Sequence, residues 1–111
     1  MCSLSENDSR RQDELRKQIF NLKMDVSENS CPPSDMLRKS IKLHTLMMLA
    51  GMSLEYQLDA VFLCFEASKL LKNDKSINHW SSLGVSIASI VRGEDSSYVK
   101  YFKRIQKYNQ N

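Results

Sequence analysis

The stretch from Leu43 to Leu71 leaves this chain few folds to choose from, because it is dense in apolar residues and holds no proline. His44, Glu55, Gln57, Asp59, Glu66 and Lys69 interrupt it too often for a membrane span, which needs roughly 20 consecutive, mostly apolar residues. Its apolar positions recur at helical spacing, so the segment reads as buried helix. Leu54, Leu58, Val61 and Phe65 form one stripe, and Phe62, Leu63, Ala67, Leu70 and Leu71 widen it. A helix apolar on most faces belongs at the centre of a bundle. Gly51 and then Ser53 offer a C-cap followed by an N-cap, which divides the stretch into two helices.

The flanking segments follow the same logic. Residues 1–9 are polar and expected to be disordered. Ser9 and Gln12 have capping-box spacing, and Leu15, Ile19 and Leu22 recur at i, i+4 and i+7, which predicts an amphipathic helix over 10–25. Its stripe is narrow, so it should dock on a neighbour or a partner chain. Residues 26–33 hold both prolines and read as a linker. Ser34 and Asp35 suit a helix start, opening a helical core domain over 34–109. Within it, one helix runs through Met36, Leu37, Ile41 and Leu46, and the Leu54 to Lys72 helix follows. A fourth helix, capped by Ser76 or Asn78, presents Trp80, Leu83, Ile87 and Ile90 on one face. Gly93 ends it, and Asp95 or Ser96 starts a fifth with Tyr98, Tyr101, Phe102, Ile105 and Tyr108 on one side. No segment alternates with a period of two. The fold class is therefore all-α, a compact bundle of four to five antiparallel helices. Trp80, Leu83, Gly84 and Ile87 also match the opening of a tetratricopeptide helix pair, with Ile in the Tyr position. Ser96 and Lys100 stand where that pattern wants Ala and Phe, so a single tetratricopeptide-like hairpin is expected rather than an array.

Little in the chain suggests chemistry. His44, His79 and the cysteines Cys2, Cys31 and Cys64 lack the spacing of metal ligands. There is no nucleophile elbow, no zinc-protease motif and no glycine-rich phosphate loop. Glu55 and Asp59 share a helix face as a pair of carboxylates, but on an apolar helix such residues mark the solvated edge. The expectation is a non-catalytic chain with no cofactor, no metal and no small-molecule substrate. The odd cysteine count, with no apolar leader in MCSLSENDSRR, points to a reducing compartment, nuclear or cytoplasmic. Membrane association is not expected.

Binding is the remaining class. Residues 1–35 carry five basic and seven acidic side chains and residues 73–111 six and three, a mild asymmetry that does not demand a nucleic-acid partner. Lys100, Lys103, Arg104 and Lys107 on the last helix are the candidates for phosphate contact, the basis of an alternative nucleic-acid-binding reading. The candidate protein-contact set is Leu15, Ile19 and Leu22 with Met47, Met48, Met52, Phe62 and Leu63, since methionine suits adaptable interfaces. In a bundle this small Phe62, Leu63, Leu70 and Leu71 are not all expected to be covered by one chain. That favours a homodimer or pairing with a related helical domain, with a generic helical adaptor or inhibitor as the other protein-binding reading.

Two segments carry a family resemblance. Tyr56-Gln-Leu-Asp-Ala-Val-Phe-Leu-Cys-Phe-Glu-Ala, preceded by Lys42-Leu43-His44, and the helix from Tyr98-Val-Lys-Tyr-Phe-Lys-Arg-Ile to Asn109 resemble the C-terminal homology domain of the ALF family. These are the AF-four/fragile-X-E-related scaffolds of the super elongation complex. The family domain is longer, so its helical middle is compressed here into residues Asn73 to Ser82. The resemblance implies an all-helical, tetratricopeptide-like dimerisation module acting in nuclear transcription elongation, without catalysis.

Overall fold

The most apolar helix lies where two cores meet. The computed structural model describes residues 6–109, with side chains described for residues 9–106. Five helices follow one another: α1 (Glu6–Ser27), α2 (Pro33–Leu49), α3 (Leu54–Leu70), α4 (Asp74–Arg92) and α5 (Ser97–Asn109). No strand occurs among the described residues. Ala60, Leu63 and Ala67 of α3 face a core built with Leu15, Ile19 and Leu22 of α1 and Met36, Leu43 and Met47 of α2. Leu58, Val61, Cys64 and Phe65 face a second core with Ile77, Trp80, Ile87 and Ala88 of α4 and Val99 and Phe102 of α5. One helix serving two cores has no room for a broad polar face, which explains its composition.

Each helix packs on its successor, and α1 also reaches α3. The rings of Phe62 and Phe65 on α3 meet those of Tyr98, Tyr101 and Phe102 on α5, while His44 of α2 meets Trp80 of α4 edge-on at 5.7 Å. The chain thus zigzags between a layer of α1, α3 and α5 and a layer of α2 and α4, filling a slab of 48 × 33 × 21 Å. Small buried residues let the layers approach. Ser40, Ser68 and Ser81 are fully buried, and their hydroxyls donate to carbonyls of their own helices at 2.6, 2.7 and 3.1 Å. Gly84 is tighter still, since a Cβ there would lie 2.6 Å from the Phe102 ring.

The first three helices end alike. The amides of Asn29, Gly51 and Lys72 donate to the carbonyls of Val26, Met48 and Lys69 at 3.1, 3.1 and 3.0 Å. The next amides, of Ser30, Met52 and Asn73, reach the carbonyls of Asp25, Met47 and Ser68 at 2.9, 3.0 and 3.1 Å. This double closure needs a left-handed residue, and Asn29, Gly51 and Lys72 supply it with φ of 57, 66 and 55°. Asn73 then serves twice, because its side chain accepts from the Ser76 amide at 3.1 Å and caps α4.

Several sequence expectations shift. Residues 1–5 lie outside the described residues, but Glu6 to Ser9, expected to be disordered, open α1. Gln12 donates to the Ala50 carbonyl at 2.8 Å and ties α1 to the end of α2, rather than completing a capping box. The helix also runs on to Ser27, two residues into the expected linker. Pro32, not Ser34, precedes the first turn of α2, where Pro33 loses no helical bond by lacking an amide hydrogen. α4 opens at Asp74, ahead of Ser76 and Asn78. Ile90 is 73% exposed, because α4 buries Ile77, Trp80, Gly84, Ile87 and Ala88, and the half-buried Val91 continues that face where Ile90 turns off it. Ser96 does cap α5, accepting from the Val99 amide at 3.3 Å.

Candidate interaction surfaces

Most of the expected protein-contact set is inside the molecule. Leu15, Ile19, Leu22, Met47, Met52 and Leu63 are all buried, leaving Met48 exposed and Phe62 half-buried. The reason is that α1 folds back, chiefly onto α2, and Leu15, Ile19 and Leu22 join Met36, Leu43 and Met47 of α2 and Ala60, Leu63 and Ala67 of α3 in one core. Met47 and Met52, whose backbones share the helix-ending hydrogen bond of α2, both join that core. Of the four residues expected to lack full cover, Leu63 is buried by this folding back, whereas Leu70 is 63% exposed and Leu71 also stays at the surface.

Several charged groups on α1, α3 and α5 are paired with one another. Lys23 meets Asp59 at 2.9 Å, and the Arg16 guanidinium lies 5.3 Å over the Tyr56 ring. Tyr101 donates to a Glu66 oxygen at 2.6 Å, Lys69 donates to the Tyr101 hydroxyl, and Lys69 also pairs with the other Glu66 oxygen at 3.2 Å. Burial alone pulls the Lys69 ammonium down, but its bonds to Tyr101 and Glu66 outweigh this and hold it above the ordinary lysine range. Burial and then the bond to Glu66 push the Tyr101 phenol up as well. Both groups are thereby fixed in their protonated forms, the opposite of the tuning that a general base needs.

Two buried groups belong to the interior. Burial, opposed by the Ser40 hydroxyl, pushes the Cys64 thiol up to about 12, so it carries no thiolate. His44 is buried with Nε2 unpartnered, and the Trp80 indole meets both its ring, at 5.7 Å, and that of His79, at 4.7 Å. Among the described residues no three metal-ligating side chains come together.

The α2–α4 layer differs in character. From Ser76 to Val91 the chain has no acidic or basic side chain except His79. On the outer side of α4 the exposed residues are His79, Ser82, Ser86 and Ile90, with Leu83 half-buried among them. α2 adds exposed Ile41, Met48 and Leu49, the last 75% exposed. Exposed acids, Asp74, Glu94 and Asp95, stand at the ends of α4, and exposed cations stand on α2 and α5. Lys100, Lys103 and Arg104 are exposed on α5, which has no acidic residue, while the side chain of Lys107 lies outside those described. Arg38, Lys39 and Lys42 stand on α2, where with Gln18, Asn21 and Asp25 of α1 they line a cleft of about 360 Å³. Sequence periodicity missed Leu49 and Ile90 as surface residues, although the charge-free run through α4 was a readable sign that part of this helix is unusual for a solvated one.

No described helix is long and apolar enough to cross a membrane. Comparison with family models, with curated proteins and with solved structures returns no match.

Proposed function

We propose that this chain is a non-catalytic protein-interaction module that pairs with a second copy or a related helical domain, acting as a scaffold of the kind the ALF resemblance implies, in nuclear transcription elongation. The observation that carries this reading is the set of large aliphatic residues left at the surface after both cores are filled, chiefly Leu49, Leu70, Leu71 and Ile90. Leu70 and Leu71 are adjacent in the chain, and neighbouring exposed aliphatics that the core does not need favour contact with another protein. The cysteines bear on compartment, since Cys31 and Cys64 are both free thiols. The test is light scattering of the chain across micromolar concentrations, with Leu70→Ser/Leu71→Ser as the comparison. A mass that doubles with concentration in the parent and stays single in the variant supports pairing. A parent chain that stays monomeric throughout overturns it.

A second reading rests on the acid-free helix α5, with Lys100, Lys103 and Arg104 exposed. Phosphate-led binding to nucleic acid would weaken steeply with salt. Filter binding to random RNA and DNA over a salt series checks this, and no retention at low salt removes it.

A further inference from the structure

We infer that the cleft between α1 and α2 binds a phosphorylated polyol, a small hydroxylated ligand that carries a phosphate monoester. The cleft holds about 360 Å³, within the size range of small-ligand sites. Buried Leu22 and Leu43 lie at its base, and polar side chains of both helices line its walls: Gln18, Asn21 and Asp25 on α1 and Arg38, Lys39 and Lys42 on α2. Its charges are sorted along its length. The two helices run antiparallel through a short connection, so Asp25 and Arg38 stand at the loop end and Gln18 and Lys42 at the far end. Asp35 lies 3.4 Å from Arg38, which leaves the loop end close to neutral. Among the described residues Lys39 and Lys42 have no carboxylate within 4 Å, and Glu14, outside the cleft, accepts from the Gln18 amide at 3.5 Å. Lys42 is three residues from Lys39 and four from Arg38, spacings at which like charges on a helix repel. An anion between Lys39 and Lys42 relieves that repulsion, and a phosphate monoester, with a charge of about −1.5 to −2, matches two ammonium groups. Asn21 adds a neutral amide from the opposite wall, able to donate to a phosphate oxygen or a hydroxyl. Asp25 determines the rest of the ligand. Its half-buried carboxylate has no hydrogen bond or ion pair among the described residues, so it repels a second anion and accepts from hydroxyls. The phosphate therefore belongs beside the lysines and the hydroxyls towards Asp25, with the apolar base under the carbon skeleton. From Asp25 to Gln18 the wall runs about 10 Å, long enough for a sugar or inositol monophosphate.

The experiment follows the amide chemical shifts of the isotopically labelled whole chain by nuclear magnetic resonance at low ionic strength. The probes are glucose 6-phosphate, inositol 1-phosphate, glucose, inorganic phosphate and a phosphoserine tripeptide. At least one of the two polyol phosphates is expected to bind more tightly than the other three probes, with shifts centred on Asn21, Asp25, Lys39 and Lys42. Lys39→Gln and Lys42→Gln should each weaken it about tenfold, whereas Lys75→Gln, an equal loss of charge at an exposed position of α4, should leave it unchanged. Asp25→Ala should weaken the polyol phosphate while tightening inorganic phosphate. None of these four side chains is buried, so unchanged circular dichroism will confirm that the variants fold. Phosphatidylcholine vesicles containing phosphatidylinositol 4-phosphate separate the two sources of this chemistry. Co-sedimentation that is lost in Lys42→Gln assigns a lipid headgroup, and polyol-phosphate binding without co-sedimentation assigns a free ligand; either supports the site. No shift with any polyol phosphate at millimolar concentration and no co-sedimentation overturns the proposal. Equal binding of inorganic phosphate, tighter binding of the phosphopeptide, or indifference to both lysine substitutions overturns it too. The cleft shares no residue with the pairing surface at Leu70 and Leu71, so a chain that dimerises without binding a polyol phosphate defeats this inference alone, and a strict monomer that binds one defeats only self-pairing.

Discussion

Gly84 and His44 show how far a single side chain can decide matters in this molecule. The Phe102 ring occupies the space that a Cβ on Gly84 would need, and it cannot swing away, being fully buried with its ring 4.9 Å from that of Phe65. Gly84→Ala gains about 1 kcal/mol in helix propensity but overpacks the α4–α5 contact at a cost of about 1–3 kcal/mol. The expected result is a net loss of stability in urea denaturation, and a double-mutant cycle with Phe102→Leu should show strong coupling between the two sites. An additive cycle would mean that the ring and the glycine do not compete for space. His44 makes a different prediction. Burial drives its ring below the ordinary histidine value, the bond to Gln57 opposes this, and the neighbouring His79 adds to the lowering. The unfolded chain therefore takes up the proton first as pH falls, so stability is complete above about pH 6.5 and declines below it. His44→Leu should remove much of that decline in melting curves from pH 7 to 5. An unaltered slope would move the acid sensitivity elsewhere.

At the scale of the helix, endings were more legible than destinations. Gly51 announced the break between α2 and α3, and the structure places it left-handed there as the amide that closes α2. Lys72 plays the same part at the end of α3 with φ of 55°, yet no sequence rule points to a lysine for this position. An L side chain in that region costs roughly 1 kcal/mol, so Lys72→Gly is expected to raise the melting temperature by a few degrees after the extra flexibility of glycine in the unfolded chain is subtracted. A lower melting temperature would show that the lysine side chain stabilises the turn. The centrality of α3 was readable because periodicity counts apolar positions, and this helix has them on two opposite faces. The resting place of α1 was not. Leu15, Ile19 and Leu22 make a stripe that a partner chain or the chain's own α2 and α3 satisfies equally well, and in the structure it joins Met36, Leu43 and Met47 with the small Ala60 and Ala67. Periodicity registers polarity, not size. The same blindness hid the surface position of Ile90, one step past the point where the buried face of α4 passes to Val91.

At the scale of the whole molecule, two cores share one helix, and that sharing determines how the chain should unfold. Leu22 belongs to the core of α1, α2 and α3, whereas Trp80, the only tryptophan, belongs to the core of α3, α4 and α5. Trp80 fluorescence therefore reports chiefly on the second core, while far-ultraviolet circular dichroism reports on helices of both. If α3 couples the cores, losing one removes the surface on which the other is built, because Ala60 and Val61, or Leu63 and Cys64, are adjacent residues of the same helix that belong to different cores. The His44–Trp80 contact and the bond from Gln12 to Ala50 add links along the slab. Unfolding should then be all-or-none, with coincident urea midpoints for the two probes. Leu22→Ala, which empties a buried site in the first core, is expected to cost about 2–5 kcal/mol and to shift the Trp80 transition in the second core by the same amount as the helical signal. If Trp80 instead keeps its original midpoint while helix content falls earlier, the cores are separable, α1 and α2 peel away on their own, and the slab is two stacked units with a common edge.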